Sequence, residues 1–201
     1  MSDKSYLSIY AKSFSWAGFF LPRETLKKCS VLYDFCRVAD NIADDEDKIE
    51  FKEKKFTEFE NDFNQKKFNN PIIKNMWGIM EEFNISIKIV QDLLAGIKSD
   101  IKERVELNSK KDLLIYSYRV AVTVVLMMAK ILIVRNYICL KWAIVFGIDM
   151  KLTNISRDVL EDSKNNRFYI EENFEKISST VNLANRFYED SFYAIKSIPI
   201  S

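Results

Sequence analysis

The sequence predicts an all-α fold. Only 4 glycines and 3 prolines punctuate 201 residues, so turns are scarce and helices can run long. Apolar side chains recur at helical spacing through most of the chain, the pattern of helices that each bury one face. At 48% hydrophobic, the chain has enough apolar surface for one sizeable core and too much for a disordered polymer. Residues 1–201 therefore read as a single domain, without repeats, low-complexity tracts or linkers.

Leu21-Pro22-Arg23-Glu24 opens the first long helix, because proline is tolerated in a first turn whose N–H has no helical partner anyway. The helical pattern continues to about Ala43. Tyr33, Arg37, Asp40 and Asp44 share one face of it and extend a stripe begun by Leu26 and Cys29. Asp44 to Asp47 reads as a solvated turn. Lys48 to Phe63 is an amphipathic helix that turns Ile49, Phe56, Phe59 and Phe63 to the core. Asn70-Pro71 supplies a cap and first turn, and Asn84 is expected to cap the helix that carries Leu93, Leu94 and Asp100. Ser109-x-x-Asp112 resembles a capping box ahead of an apolar helix from about Leu113 to Val134. A further helix is expected from Tyr137 to Asp162.

Several function classes are set aside by composition. With 30 basic and 29 acidic residues, the chain has no positive excess, and nucleic acid is not an expected partner. Histidine is absent, which removes Ser-His-Asp and Cys-His catalysis, His-ligated zinc and any histidine base. Cys29, Cys36 and Cys139 are odd in number and lie in apolar contexts without a C-x-x-C pair, as buried thiols of a reducing, cytoplasmic compartment do. The opening MSDKSYLSIYAKSF has no basic stretch leading into an apolar one, so no secretion signal is expected. Lys130, Arg135 and Lys141 interrupt the apolar window Val120 to Gly147. A buried helix pair is expected there rather than a membrane span, with peripheral membrane contact left open.

Two aspartate-rich segments stand far apart, DFCRVADNIADD (Asp34 to Asp45) and LTNISRDVLEDSKNNRFYI (Leu152 to Ile170). Asp40 and Asp44 are one helical turn apart, and Asn154, Asp158 and Asp162 repeat that spacing. Oxygen donors at this spacing suit magnesium, a hard cation that keeps waters and substrate phosphates in its shell. Each set alone reads equally as a solvated acidic helix face. Two sets on separate helices are what a helical protein needs to hold metal ions against a diphosphate between them.

The ordered motifs resemble the squalene/phytoene synthase family of head-to-head prenyl transferases. AKSFSWAGFFLPRE resembles that family's N-terminal S-x-S-F helix and Leu-Pro turn. YDFCRVADNIADD is similar to its first aspartate motif and KLTNISRDVLEDSKNNRFYI to its second. LLAGIKSDI and YSYRVAVTV resemble two elements between them. The resemblance implies an isoprenoid synthase fold, a helical bundle around a central cavity that takes two prenyl diphosphates. It implies Mg2+, with Mn2+ as an alternative, on Asp40, Asp44, Asn154, Asp158 and Asp162. It also implies that Arg37, Arg157, Arg167, Tyr116 and Tyr169 contact diphosphate or finish the polar pocket, and that Tyr33, Ser13 and Phe14 stand near the reacting groups. Val120 and Ala121 are candidates for the lining of the prenyl tunnel, and plain helix packing explains them equally.

The expected reaction joins two geranylgeranyl diphosphates to phytoene through a cyclopropyl diphosphate. Farnesyl diphosphate condensation to presqualene diphosphate or squalene is the alternative within the class, and a non-catalytic scaffold the alternative outside it. Three departures bear on that choice. Val122 and Val125 stand where the family carries Gly-x-x-Gly, Lys151 where it carries Gln, and Asn41 where it carries the middle aspartate of the first motif. Family members also continue through further helices, so the domain is expected to be incomplete at its C-terminus, with a partner or a second copy covering the cavity wall.

Overall fold

The computed structural model describes residues 21–195. Helix α1 (Arg23–Asp44) starts after Pro22 as the sequence predicts. It buries Cys29, Leu32, Phe35, Ala39 and Ala43 along one stripe. Helices α2 (Ile49–Asn64) and α3 (Pro71–Glu82) pack beside it, the latter capped by Asn70, whose side chain accepts the Ile72 N–H. Phe56, Phe59 and Phe63 are buried and Ile49 packs at the edge of the core, matching the expected face of α2. Phe35 lies 5.4 Å from both Phe59 and Phe63, centroid to centroid, and Phe63 stacks on Trp77 at 5.3 Å. The Trp77 indole N–H donates to the Phe63 carbonyl at 3.0 Å, so this aromatic cluster buries its one polar atom satisfied.

Helix α4 (Ile87–Lys98) is capped by Ser86, which accepts the Lys88 N–H. The expected cap, Asn84, instead sits at a φ of 50° in the preceding turn, a conformation that asparagine tolerates better than most residues. Ser109 caps the next helical run as expected, accepting the Asp112 N–H at 3.1 Å while its hydroxyl donates to the Asp112 carboxylate at 2.7 Å. That run is not one regular helix from Leu113 to Val134. It comprises α5 (Lys110–Ser117), a π-helical segment (Tyr118–Val122) and α6 (Thr123–Ile131). By length and composition, Lys110–Ile131 is apolar enough to cross a membrane. Here α4 and α7 (Tyr137–Arg157) flank it, and α1 packs on α6. The window Val120 to Gly147 is thus a helix pair around a turn as expected, but its second helix is not buried as expected: Tyr137 to Phe146 of α7 are all exposed or half-buried.

Two close crossings fix the middle of this run. A Cβ on Gly96 would stand 2.7 Å from the Arg119 Cβ and 2.8 Å from a Val120 methyl, so α4 can approach the π-helical segment only with glycine there. On the other side, a Cβ on Gly147 would meet Val122 and Val125 at 3.3 Å. The two valines that stand in place of the family's glycines therefore pack on a glycine of α7, and the small residue of this contact sits on the opposite helix. The methyl groups of Val122 spend their bulk between helices.

The helix expected from Tyr137 to Asp162 is broken. α7 ends at Arg157, Asp158 lies at φ −99° and ψ 11°, and a short α8 (Val159–Lys164) resumes beyond it. The break is local: the Asp158 N–H still reaches the Asn154 carbonyl at 2.9 Å, and the Asp158 carbonyl accepts from both Glu161 and Asp162. A two-residue parallel pair then joins β1 (Val105–Glu106) to β2 (Arg167–Phe168), a small addition to an otherwise helical fold. Helix α9 (Phe174–Ile195) packs along α7.

Among the described residues, buried apolar side chains form two clusters. The larger fills the space between α1, α2, α3, α4 and α6. The smaller contains Val105, Leu113, Tyr116, Leu152, Ile155, Tyr169 and Ala184. The candidate site opens beside the smaller cluster, where the end of α1 meets the end of α7.

Candidate active site

Asp40 and Asp44 occupy the last turns of α1, and Asn154, Asp158 and Asp162 the end of α7, the break and α8. All five line one pocket of about 250 Å³. Tyr116 from α5, Lys151 from α7, and Arg167 and Tyr169 from the segment around β2 complete its polar and aromatic wall, and Val120 from the π-helical segment adds an apolar side chain. Ala43, Ile97 and Ile155 give it an apolar floor. The two aspartate segments, more than a hundred residues apart in sequence, thus face each other across one cavity. The link is direct in one place: the Arg167 guanidinium donates to the Asp44 carboxylate at 2.5 Å. β2 holds Arg167 opposite Val105, so the small strand pair positions this bridge.

Other predicted residues lie elsewhere. Tyr33 and Arg37 are half-buried on α1, before the pocket wall, and Ala121 is half-buried in the π-helical segment without joining the lining. Arg157 is exposed and grips Asp158 through two hydrogen bonds of 2.6 and 2.7 Å. Ser13 and Phe14 lie outside the described residues. Asp100, which the sequence places on a helix without a role, lines the pocket from the turn after α4. Tyr116 donates its hydroxyl to the Asp100 carboxylate at 2.7 Å, and the hydroxyls of Tyr116 and Tyr169 are 3.0 Å apart. The two rings stack with centroids 4.7 Å apart. The signal for Asp100 was present in LLAGIKSDI, whose aspartate follows the glycine that allows the close helix crossing.

Burial and mutual charge set the electrostatics. Asp40 is pushed up to about 6, first by burial and then by the neighbouring Asp44 charge, with Arg37 and Lys151 opposing. Burial also raises Asp100, against the stabilising hydrogen bond from Tyr116. Asp162 is raised by burial despite Lys151 and Arg167. Asp158 moves the other way, because the Arg157 hydrogen bonds hold its carboxylate below the usual range. Tyr116 and Tyr169 are raised by burial and by the Asp100 charge, so both stay protonated donors at neutral pH.

Among the described residues, no three carboxylates form a preassembled metal cage. The donor set nevertheless fits magnesium, which takes one or two protein carboxylates and completes its shell with water and phosphate oxygens. Asp40, Asp44, Asn154, Asp158 and Asp162 each offer an oxygen donor to the pocket, and among the described residues one carboxylate oxygen of Asp100 is buried without a hydrogen-bond partner. A desolvated aspartate beside a like charge is an acceptor for a cation. Such an arrangement can bind a metal–diphosphate unit between two walls and exclude part of its water.

Residues 7–175 match the squalene/phytoene synthase family model. A phytoene synthase of Rhodobacter capsulatus is 32% identical over 162 residues, 79% of this chain and 48% of that protein. A 15-cis-phytoene synthase of Enterobacter agglomerans is 29% identical over 175 residues, 82% of this chain and 59% of that protein. The chain thus spans about half the length of these relatives. The crystal structure of a dehydrosqualene synthase in complex with ligand superposes with a TM-score of 0.74 at 26% identity, covering 96% of this chain and 75% of that one. The fold is that of the isoprenoid synthases, and the chain belongs to the squalene/phytoene synthase family.

Proposed function

We propose that this chain carries the diphosphate-handling site of a magnesium-dependent, head-to-head prenyl transferase. The reading rests on one observation, the convergence of Asp40 and Asp44 with Asn154, Asp158 and Asp162 on a single pocket. In the first step the C–O bond of one prenyl diphosphate breaks and its electron pair leaves with diphosphate. The double bond of the second prenyl diphosphate supplies the pair for the new C–C bond, and loss of a proton closes the cyclopropane ring. A second ionisation then opens that ring towards the linear product. Magnesium, when bound, would neutralise charge on the departing diphosphate.

The chain's own residues would do the rest. Asp40, Asp44, Asn154, Asp158 and Asp162 would hold the metal–diphosphate unit, and Arg167 would exchange its bond to Asp44 for a phosphate oxygen. Tyr116 and Tyr169 would remain neutral and present ring faces and hydroxyls to the polar end of the cavity. Ala43, Ile97, Val120 and Ile155 would begin the apolar wall that keeps water from the allylic cation.

Geranylgeranyl diphosphate, giving phytoene, is the substrate favoured by the two phytoene synthase relatives. Farnesyl diphosphate is the second reading, favoured by the similarity to a dehydrosqualene synthase over 96% of this chain. The test is product analysis of the 201-residue chain with Mg2+ and each substrate, with Asp40→Ala as control. A C40 hydrocarbon lost in the variant supports the first reading, and a C30 product only from farnesyl diphosphate supports the second. No product from either, with a folded protein, means that this chain does not catalyse the condensation unaided and moves the scaffold reading to first place.

A further inference from the structure

Lys151 is the residue of the pocket that the family pattern does not account for. Among the described residues five carboxylates line the cavity, those of Asp40, Asp44, Asp100, Asp158 and Asp162, against the two cations Lys151 and Arg167. Arg167 is committed to Asp44. Lys151 is not: among the described residues no carboxylate oxygen pairs with its ammonium, which instead lies 5.1 Å from the Tyr116 ring centroid and 5.6 Å from that of Tyr169. The two stacked rings hold a half-buried cation by their faces, with its N–H donors directed to no acceptor among the described residues.

We propose that Lys151 is a resident diphosphate-binding cation, a built-in positive charge that takes over part of the work of a divalent ion. The proposal rests on the site being a diphosphate site. A diphosphate entering this pocket meets an excess of negative charge and needs cations on its oxygens. Metal ions would come from solution with affinities set by the aspartates. Lys151 is already in place, and a hydrogen bond from an ammonium to a phosphate oxygen in a partly desolvated pocket is a strong one. Burial lowers the Lys151 ammonium from its ordinary range, and the Asp100, Asp162 and Asp40 charges oppose that shift. A glutamine at this position would offer the same oxygen a neutral donor.

The experiment measures binding of inorganic pyrophosphate to the full chain by titration calorimetry, with Mg2+ and with chelator. The wild type is compared with Lys151→Gln and with the charge-keeping Lys151→Arg. The wild type should bind pyrophosphate without metal. Lys151→Gln should lose that component by about tenfold or more, the effect of one lost hydrogen bond to a charged group. Lys151→Arg should retain it, and Lys151→Gln should need more Mg2+ for half-saturation with pyrophosphate. Equal metal-free binding by wild type and Lys151→Gln would overturn the role of Lys151. Tighter Mg2+ binding by Lys151→Gln at unchanged pyrophosphate affinity would do the same and make the lysine a competitor of the metal. If a folded wild type binds no pyrophosphate in either condition, the diphosphate site itself is rejected and this inference falls with it. Binding that is strictly Mg2+-dependent and indifferent to residue 151 rejects only the inference.

Discussion

Asp40 and Asp158, one from each aspartate segment and each followed by an aspartate one helical turn on, have opposite electrostatics in the fold. Asp40 lies on an unbroken helix, is half-buried, and is raised to about 6 by desolvation and by Asp44. Asp158 lies at a helix break, beside an exposed arginine that holds its carboxylate low. Asp40 gains from a cation that the protein itself does not fully supply, whereas Asp158 already has one; Asp162, in the same segment as Asp158, is raised by burial as Asp40 is. Identical chemistry at identical spacing is therefore loaded differently, and the difference comes from where each helix ends. α1 carries its carboxylates into the pocket before stopping, while α7 stops among them.

The largest effect expected from this contrast is on function. Asp40→Ala should reduce Mg2+-dependent product formation by about a hundredfold or more, the scale of removing a charge-stabilising group from a reaction centre. Loss of less than about threefold on that scale would mean that the second segment alone carries the site.

The next effect is on stability, and it has the opposite sign. Unfolded Asp40 titrates near its ordinary 3.8, and the folded residue near about 6. Between these values the folded state holds a proton that the unfolded state has lost, so stability falls as pH rises through this window, and the penalty is complete above it. Asp40→Asn removes a desolvated charge. It should stabilise the metal-free protein at pH 7.5 by about 1–3 kcal/mol, a gain of a few degrees in Tm that vanishes near pH 4. A destabilised variant at pH 7.5 would show that Asp40 is already well paired.

The smallest effect concerns the second segment. Arg157→Ala breaks an exposed pair, so the Tm should not change, while the Asp158 carboxyl should rise towards its ordinary value in a carbon-detected NMR titration. A lowered Tm would show that the arginine braces the helix break.

Much of this arrangement could be read from the residues themselves. Pro22, Asn70-Pro71 and Ser109 marked helix starts because caps and first-turn prolines act locally. Asp40 and Asp44 were placed correctly because α1 runs without interruption, so spacing translates directly into a face. The same logic failed where the helices are irregular. Nothing in Arg157-Asp158-Val159 signals a break, and the π-helical turn at Tyr118–Val122 carries no propensity signature, since both depend on tertiary packing. Asp100 was passed over because it follows α4 rather than riding on it, and its role depends on Tyr116, sixteen residues away. Asn84 and Ser86 compete for one cap, and only the backbone geometry of the turn decides between them. The valines at 122 and 125 stand where the family carries glycines. Their partner Gly147 sits more than twenty residues further on, and single-residue reading does not pair them.

The central claim is that both aspartate segments act on one ligand, and a double-mutant cycle tests it most directly. Binding of the Mn2+–pyrophosphate complex would be measured by electron paramagnetic resonance for wild type, Asp40→Ala, Asp162→Ala and the double variant, with circular dichroism confirming the fold of each. Residues that grip one metal–diphosphate unit should show a coupling of about 1 kcal/mol or more, so that the second substitution costs much less once the first has been made. Strict additivity, within about 0.5 kcal/mol, would mean that the two segments serve separate sites, and would contradict the account.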